Sequence, residues 1–230
     1  MVMIDEKPAE ENLMYKESQY IKLYREVIDP RICKSLINTY EKLWKEQTQK
    51  IQEMSLCYDT QGKKTCGACN CQRLDIMQHS EFKELFEFVL SYIQNQIKIY
   101  KEDCNIVKQQ WPNKFGFEHF RLKRYLPDGI QQHNFHSDVI NKSSAKRFIS
   151  IICYLNDDFK GGETSFPNFE YDSKVTTGGI IMFPCTWNYL HKGNPIKSGN
   201  AKYVLGTFLN YVDEQKTNRM GDQKLGTDRL

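Results

Sequence analysis

Apolar positions recur with a helical period in the first half of the chain and cluster into short aromatic and β-branched runs in the second. "DPRICKSLINTYEKLWKE", residues 29–46, places Ile32, Leu36, Ile37, Tyr40 and Leu43 on one face, the stripe of a half-buried helix. Asp29 stands where an N-cap is needed and Pro30 falls in the first turn, where its missing N–H costs nothing. A second stripe, Phe82, Leu85, Phe86, Val89, Leu90 and Ile93, predicts a longer helix over residues 79–103. Between them, residues 55–73 are rich in Gly, Lys and Cys and read as a loop.

After Trp111 the texture changes. "FGFEHFRLKRY", "RFISIICYLND", "GGIIMFP" and "KYVLGTFLNYV" read as strands, punctuated by "PDG", "GG" and "NPIKSG" turns. Helices first and strands afterwards predict an α+β fold whose second part is an antiparallel sandwich or barrel. The expected organisation is a polar N-terminal segment (1–18), a helical support region with a Cys-rich loop (19–110), a β core (111–212) and a polar tail (213–230).

Composition narrows the function. Forty per cent hydrophobic and 13% aromatic residues exclude wholesale disorder. The net charge of +3 is spread over interleaved acids and bases, without the basic stripe that nucleic acid requires. No apolar run approaches the ~18 residues of a membrane helix. The opening "MVMIDEKPAEENL" has early acids and no apolar centre, so no secretory signal is expected and a cytoplasmic location follows by default. Of the eight cysteines, Cys33, Cys104, Cys153 and Cys185 are scattered among apolar residues and are expected to be reduced and buried.

Five histidines are present, and two of them, His133 and His136, lie beside Asp138 just after a glycine turn. In an extended segment, residues two apart face the same way at roughly 6.6 Å, so His136 and Asp138 can lean toward one ion. His191, at a strand end in "WNYLHKGNP", is a candidate third ligand. Two imidazoles and one carboxylate leave coordination positions open, the donor set of non-haem Fe(II) oxygenases, whereas thiolates would favour zinc. Lys202 lies in the strand "KYVLGTF". A lysine pointing into an apolar barrel needs an anion, and the far carboxylate of a dicarboxylic acid is a natural partner.

Taken in order, "HSD", "YLNDDFKGGETSF" and "GGIIMFPCTWNYLHKGNPIKSGNAKYVL" resemble the catalytic domain of prolyl-4-hydroxylase-like 2-oxoglutarate/Fe(II) dioxygenases, over about residues 115–212. Two gaps, Gly129 to His136 and His191 to Lys202, are each one residue longer than that family's usual pattern. The resemblance implies a double-stranded β-helix, a jelly-roll or cupin-like core buttressed by the helices, with "GGET" as a tight turn and Phe166, Phe183, Ile151 and Leu205 filling the interior. It implies His136, Asp138 and His191 as iron ligands and Lys202 as the residue binding the distal carboxylate of 2-oxoglutarate. Tyr125 and Ser150 would line the cosubstrate pocket. The implied cofactors are Fe(2+), 2-oxoglutarate and ascorbate. The implied reaction is hydroxylation of a substrate carbon, a peptidyl proline first, with release of succinate and CO2. A free amino acid or other small metabolite is an alternative substrate, and a non-catalytic cupin-like binding module is the alternative from another class. Nucleobase demethylases carry an arginine-rich signature after the last histidine that "KGNPIKSGNAKYVL" lacks.

Other groups have plainer readings. A ligand set through His133-x-x-His136 would leave His191 unexplained, so His133 is read as a cleft-lining or exposed loop residue. His119 is expected to be hydrogen-bonded or at the surface, and His79 incidental. Cys66-x-x-Cys69, with Cys57 or Cys71, is compatible with structural zinc, a disulfide or, most simply, a reduced loop.

Overall fold

The computed structural model describes residues 19–46 and 71–212, together with a two-residue strand at 226–227. The segment 1–18, nearly all of the tail and the residues Cys57, Cys66 and Cys69 lie outside the described residues. Strand β1 (Lys22–Tyr24) leads into helix α1 (Pro30–Glu46), followed by β2 (Gln72–Asp75) and helix α2 (Lys83–Asp103). The rest is β-structure: β3 (Lys114–Phe117), β4 (Arg121–Tyr125), β5 (His133–His136), β6 (Arg147–Tyr154), β7 (Phe159–Gly161), β8 (Thr164–Phe166), β9 (Tyr171–Asp172), β10 (Ile180–Pro184), β11 (His191–Gly193), β12 (Ile196–Gly199), β13 (Lys202–Tyr211) and β14 (Gly226–Thr227).

The larger sheet runs β1-β10-β6-β13. The far edge of β13 is shared by β4, which carries β2, and by β3, which carries β14. The smaller sheet runs β5-β11-β8-β9, and β7 and β12 form a separate pair. All pairings are antiparallel. No helix among the described residues is long and apolar enough to cross a membrane.

Two cores result, one on each face of the larger sheet. Leu36, Tyr40 and Leu43 of α1 and Val89, Leu90, Ile93 and Ile97 of α2 pack against Leu122, Ile151, Cys153, Met182, Leu205 and Leu209. On the other face Tyr125, Tyr154, Phe166, Ile181, Phe183, Tyr189, Ile196 and Val204 fill the space enclosed by the strands. Strand side chains alternate between faces, so β10 sends Ile180 and Met182 to the helices and Ile181 and Phe183 inward. Both faces are buried, which is why "GGIIMFP" reads as unbroken apolar. Of the four residues expected inside the barrel, Phe166 and Phe183 are there; Ile151 and Leu205 are buried instead against the helices.

Both expected helices form, and the Asp29 carboxylate accepts from the Arg31 N–H at 2.8 Å, capping α1. The second helix begins later than its stripe suggests, because residues 76–82 are taken up by two 3-10 turns. "FGFEHFRLKRY" is two strands, β3 and β4, that pair in turn with opposite ends of β13. The expected loop at 55–73 gives way to β2 at Gln72. Cys33, Cys104, Cys153 and Cys185 are buried and unbridged. Gly178, at φ +75°, accepts from the N–H groups of Val27 and Ile28 and so ties the lead-in of α1 to the turn before β10.

Candidate metal centre

Strands β5 and β11 lie side by side in the smaller sheet with His136 directly opposite His191. Asp138 follows β5 by two residues and turns its carboxylate toward both rings. Its Oδ1 is 3.6 Å from His136 Nε2 and 3.9 Å from His191 Nε2. One ligand atom from each of the three residues lies within 4.8 Å of the others. Asp138 is 7% exposed and His191 3%.

The imidazole tautomers follow from their partners. Nδ1 of His136 is 2.7 Å from the Asn134 carbonyl and Nδ1 of His191 is 3.0 Å from the Tyr189 carbonyl. A carbonyl can only accept, so each Nδ1 carries the proton and each Nε2 presents its lone pair to the Asp138 side. The Phe166 and Phe183 rings pack against His191, with centroids 5.6 and 4.8 Å away, and fix its plane. Burial pushes the His191 pKa below the ordinary imidazole value, against the pull of Asp138. Burial also opposes ionisation of Asp138, but His191 and His136 beside it prevail and hold its pKa below the ordinary carboxylate value. Asp138 Oδ2 is buried and has no hydrogen-bond partner among the described residues. Two Nε2 lone pairs beside a buried carboxylate, one of whose oxygens lacks a hydrogen-bond partner among the described residues, fit a divalent cation held by imidazole and carboxylate.

A second layer holds the aspartate. Arg147 Nη1 donates to the Asp138 carbonyl at 3.1 Å, while its Nε and Nη2 donate to Glu118 at 2.7 and 2.6 Å. Neither residue stood out in the sequence. The available signal was an acid inside the aromatic run "FGFEHF" and the second of two adjacent bases, Lys146 and Arg147, before "FISIICY".

Lys202 opens β13 directly opposite Tyr125. It is 4% exposed, donates to the Gly162 carbonyl, and has its Nζ 5.7 Å from the Tyr125 ring centre and 5.4 Å from that of Tyr154. Burial lowers its pKa to about 8, with Glu163 working the other way. Among the described residues no carboxylate lies within ion-pair distance of it. Tyr154 is an additional polar group here that the sequence did not mark: its hydroxyl is hydrogen-bonded to Thr164 Oγ1 at 2.7 Å and Ser173 Oγ at 2.8 Å. Ser150 is buried opposite Phe183, on the inward face of β6. Gly161 and Gly162 of "GGET" take positive φ, 83° and 73°, as that turn requires.

His133 lies against His136, with ring centres 3.8 Å apart and planes tilted by 35°, but does not join the converging donor set. His119 pairs with Asp75 at 2.6 Å on the surface, in keeping with its expected role.

Residues 120–210 match the model of the 2OG-Fe(II) oxygenase superfamily. A protein of Acanthamoeba polyphaga mimivirus named "Putative prolyl 4-hydroxylase" is 32% identical over 100 residues, which cover 36% of this chain and 40% of that protein. The chain therefore spans well under half the length of that relative. The viral collagen prolyl hydroxylase of Paramecium Bursaria Chlorella virus-1, in its 2OG complex, superposes with a TM-score of 0.58 at 22% identity, covering 84% of this chain and 97% of that one. A prolyl hydroxylase from Trichoplax adhaerens, in complex with a hypoxia inducible factor oxygen degradation domain peptide fragment, gives 0.63 at 12% identity, covering 84% of each chain. At these identities the structural likeness concerns the fold, which is the double-stranded β-helix.

Proposed function

We propose, from the match of residues 120–210 to the model of the 2OG-Fe(II) oxygenase superfamily, that the chain is an Fe(II)- and 2-oxoglutarate-dependent dioxygenase hydroxylating a peptidyl proline. The observation that carries the reading is the convergence of two Nε2 lone pairs and the buried Asp138 carboxylate in the same barrel as a buried lysine without a carboxylate partner among the described residues.

In this reading His136, Asp138 and His191 hold the iron. Together, iron and 2-oxoglutarate supply the oxidising chemistry, with dioxygen consumed, the substrate carbon hydroxylated, and succinate and CO2 released. Ascorbate serves as the reductant that keeps the iron ferrous. The chain's own contribution is binding and orientation. Lys202 takes the distal carboxylate of 2-oxoglutarate, exchanging a costly buried charge for an ion pair. Tyr125, Tyr154 and Ser150 shape that end of the pocket. Phe166 and Phe183 keep water from the metal side and hold the His191 ring. The Asn134 and Tyr189 carbonyls keep both Nδ1 atoms protonated, so Nε2 stays available at every stage.

The peptide assignment is supported by the rim. Ile130, Ile140 and Trp187 are exposed on the loops beside the triad, Trp187 to 80%. The Trp187 carbonyl accepts from Ser137 Oγ at 3.2 Å, within the His136–Asp138 segment itself. An apolar rim of this kind suits a peptide more than a small polar metabolite. A panel of proline-containing peptides, free amino acids and metabolites, incubated with Fe(II), 2-oxoglutarate and ascorbate, tests it. The expected result is a gain of one oxygen atom on a peptide with stoichiometric succinate. Oxygen gain confined to free amino acids would overturn the peptide assignment, and no consumption of 2-oxoglutarate would favour a binding module.

A further inference from the structure

Three arginines around β4 are each matched with an acid. Arg147 and Arg121 share Glu118, whose Oε1 accepts from Arg147 Nη2 at 2.6 Å and from Arg121 Nη1 at 3.0 Å. Arg124, on the helix side, donates to Glu41 at 2.6 Å and lies over the Trp44 ring. Two cations between them are left over. Arg73 of β2 and Lys123 of β4 are half-buried and face each other across the ladder. Neither side chain has an ion pair or a hydrogen bond among the described residues. Asp75, two residues on from Arg73, is already held by His119 Nδ1 at 2.6 Å, the Met77 N–H and Gln78 Nε2. Like charges opposed across a ladder repel, so the pair is unfavourable until something negative lies between them.

Their place follows from strand alternation and from the contacts at either end of β4. Residues 121, 123 and 125 share one face, while Leu122 and Arg124 turn to the helices. At one end of that face Arg121 reaches the triad through Glu118 and Arg147, which donates to the Asp138 carbonyl at 3.1 Å. At the other end the Tyr125 ring centre lies 5.7 Å from Lys202 Nζ. Lys123 is the middle residue of that row. Arg73 stands one strand further out, a spacing of about 4.8 Å, on the outermost strand of that side of the sheet. There Arg73 and Arg121 line a cavity of about 230 Å³.

We propose that Arg73 and Lys123 form a subsite for a carboxylate of the peptide substrate, so that the proline hydroxylated has an aspartate or glutamate near it in sequence. The row between Asp138 and Lys202 is the ground of metal and cosubstrate, and Arg73, one strand outward, belongs to the substrate's side of it. A carboxylate between the two cations removes their repulsion, and the arginine fork can receive both of its oxygens. The subsite rests on the function proposed above and gives it a substrate class, an acidic peptide.

The test uses fluorescein-labelled peptides of Gly and Ala around one Pro, with a single Glu, Gln or Lys at each position within three residues of it. Binding is read by fluorescence anisotropy on protein loaded with Mn(II) and 2-oxoglutarate. At one or more positions the Glu peptide should bind about ten-fold more tightly than its Gln counterpart, the size of one charge-assisted hydrogen bond. The Lys peptide should bind least. Arg73→Gln and Lys123→Gln should each reduce the Glu-over-Gln ratio, and with both replaced it should approach one. Arg73→Glu should reverse the order of the Glu and Lys peptides, which a damaged fold could not do. Equal binding of Glu and Gln peptides by wild type, no peptide binding, or a ratio that survives both substitutions would overturn the inference. Mass gain on the same peptides with Fe(II) and dioxygen separates it from the proposed activity. Preferential binding of acidic peptides without oxygen gain keeps the subsite and removes the activity; oxygen gain without preference keeps the activity and removes the subsite.

Discussion

His191 stands directly across the β5–β11 ladder from His136, and beyond that pair the register shifts, so that Gly193 faces His133. The two imidazoles sit with ring centres 4.2 Å apart because of strand pairing, not because one loop folds around an ion. Asp138 is free to approach them because it has already left the strand. The site is therefore as rigid as the sheet that builds it, apart from the aspartate, which needs its own support.

That support is Arg147, and removing it should loosen the site. Arg147→Met leaves the Glu118 carboxylate without its main partner and releases the Asp138 carbonyl. Breaking a half-buried ion pair from one side costs on the order of 1–3 kcal/mol, between the exposed and fully buried cases, and losing an outer partner of a ligand typically weakens metal binding roughly ten-fold or more. Urea denaturation and Mn(II) titration of the variant measure the two effects separately. Reduced stability with unchanged metal affinity would show that Arg147 supports only the fold.

The lysine pocket depends on a missing side chain. A Cβ at Gly162 would lie 2.8 Å from the Phe159 ring and 3.2 Å from Lys202 Cδ, at a backbone φ of +73°. Gly162→Ala should displace the lysine stem, weakening 2-oxoglutarate binding while metal binding stays intact. Gly129→Ala is the control, because its φ is +70° but nothing lies within 4 Å of the added atom. It carries backbone strain of about 1 kcal/mol and no steric conflict. Equal cosubstrate affinity in the two variants would count against the displacement.

Lys202 should also give the protein a distinctive pH response in the absence of cosubstrate. Burial lowers its pKa to about 8, against about 10.4 in an unfolded chain. Between those values the unfolded state binds more protons, so this residue makes stability rise with pH across that window. Below pH 8 the buried ammonium is a liability of at most about 3 kcal/mol. Lys202→Met should therefore be more stable than wild type at neutral pH, with the advantage shrinking as pH rises from about 8 to about 10. The difference between the two proteins' urea midpoints, followed across pH, isolates this residue from the tyrosines and cysteines that titrate in the same range. A constant difference would contradict the assignment. Binding of 2-oxoglutarate above pH 8 should be accompanied by proton uptake, which calorimetry in two buffers detects.

The helices were legible because a period of 3.6 residues survives in sequence, and the triad because its residue types are scarce here and ordered among turn motifs. Ile151 and Leu205 were placed on the wrong side of the sheet for a physical reason. When both faces of a strand are buried, alternation leaves no polar mark to show which side is which. Strand β2, "QRLD", is too short and polar to announce itself, and it forms because β4 offers it an edge. The break between β3 and β4 at residues 118–120 coincides with Glu118, whose side chain is held by Arg121 and Arg147. Arg147 and Tyr154 escaped notice because a single polar residue in a strand looks the same whether it faces water or an enclosed site.

The central claim is that His136, Asp138 and His191 share one divalent ion. Mn(II) or anaerobic Fe(II) titration of the wild-type chain and of His136→Ala, Asp138→Ala and His191→Ala tests it without reference to substrate. The expected result is one ion per wild-type chain and loss of that binding in each variant, with the fold retained by circular dichroism. Undiminished binding in any one of the three folded variants, or none in the wild type, would contradict it.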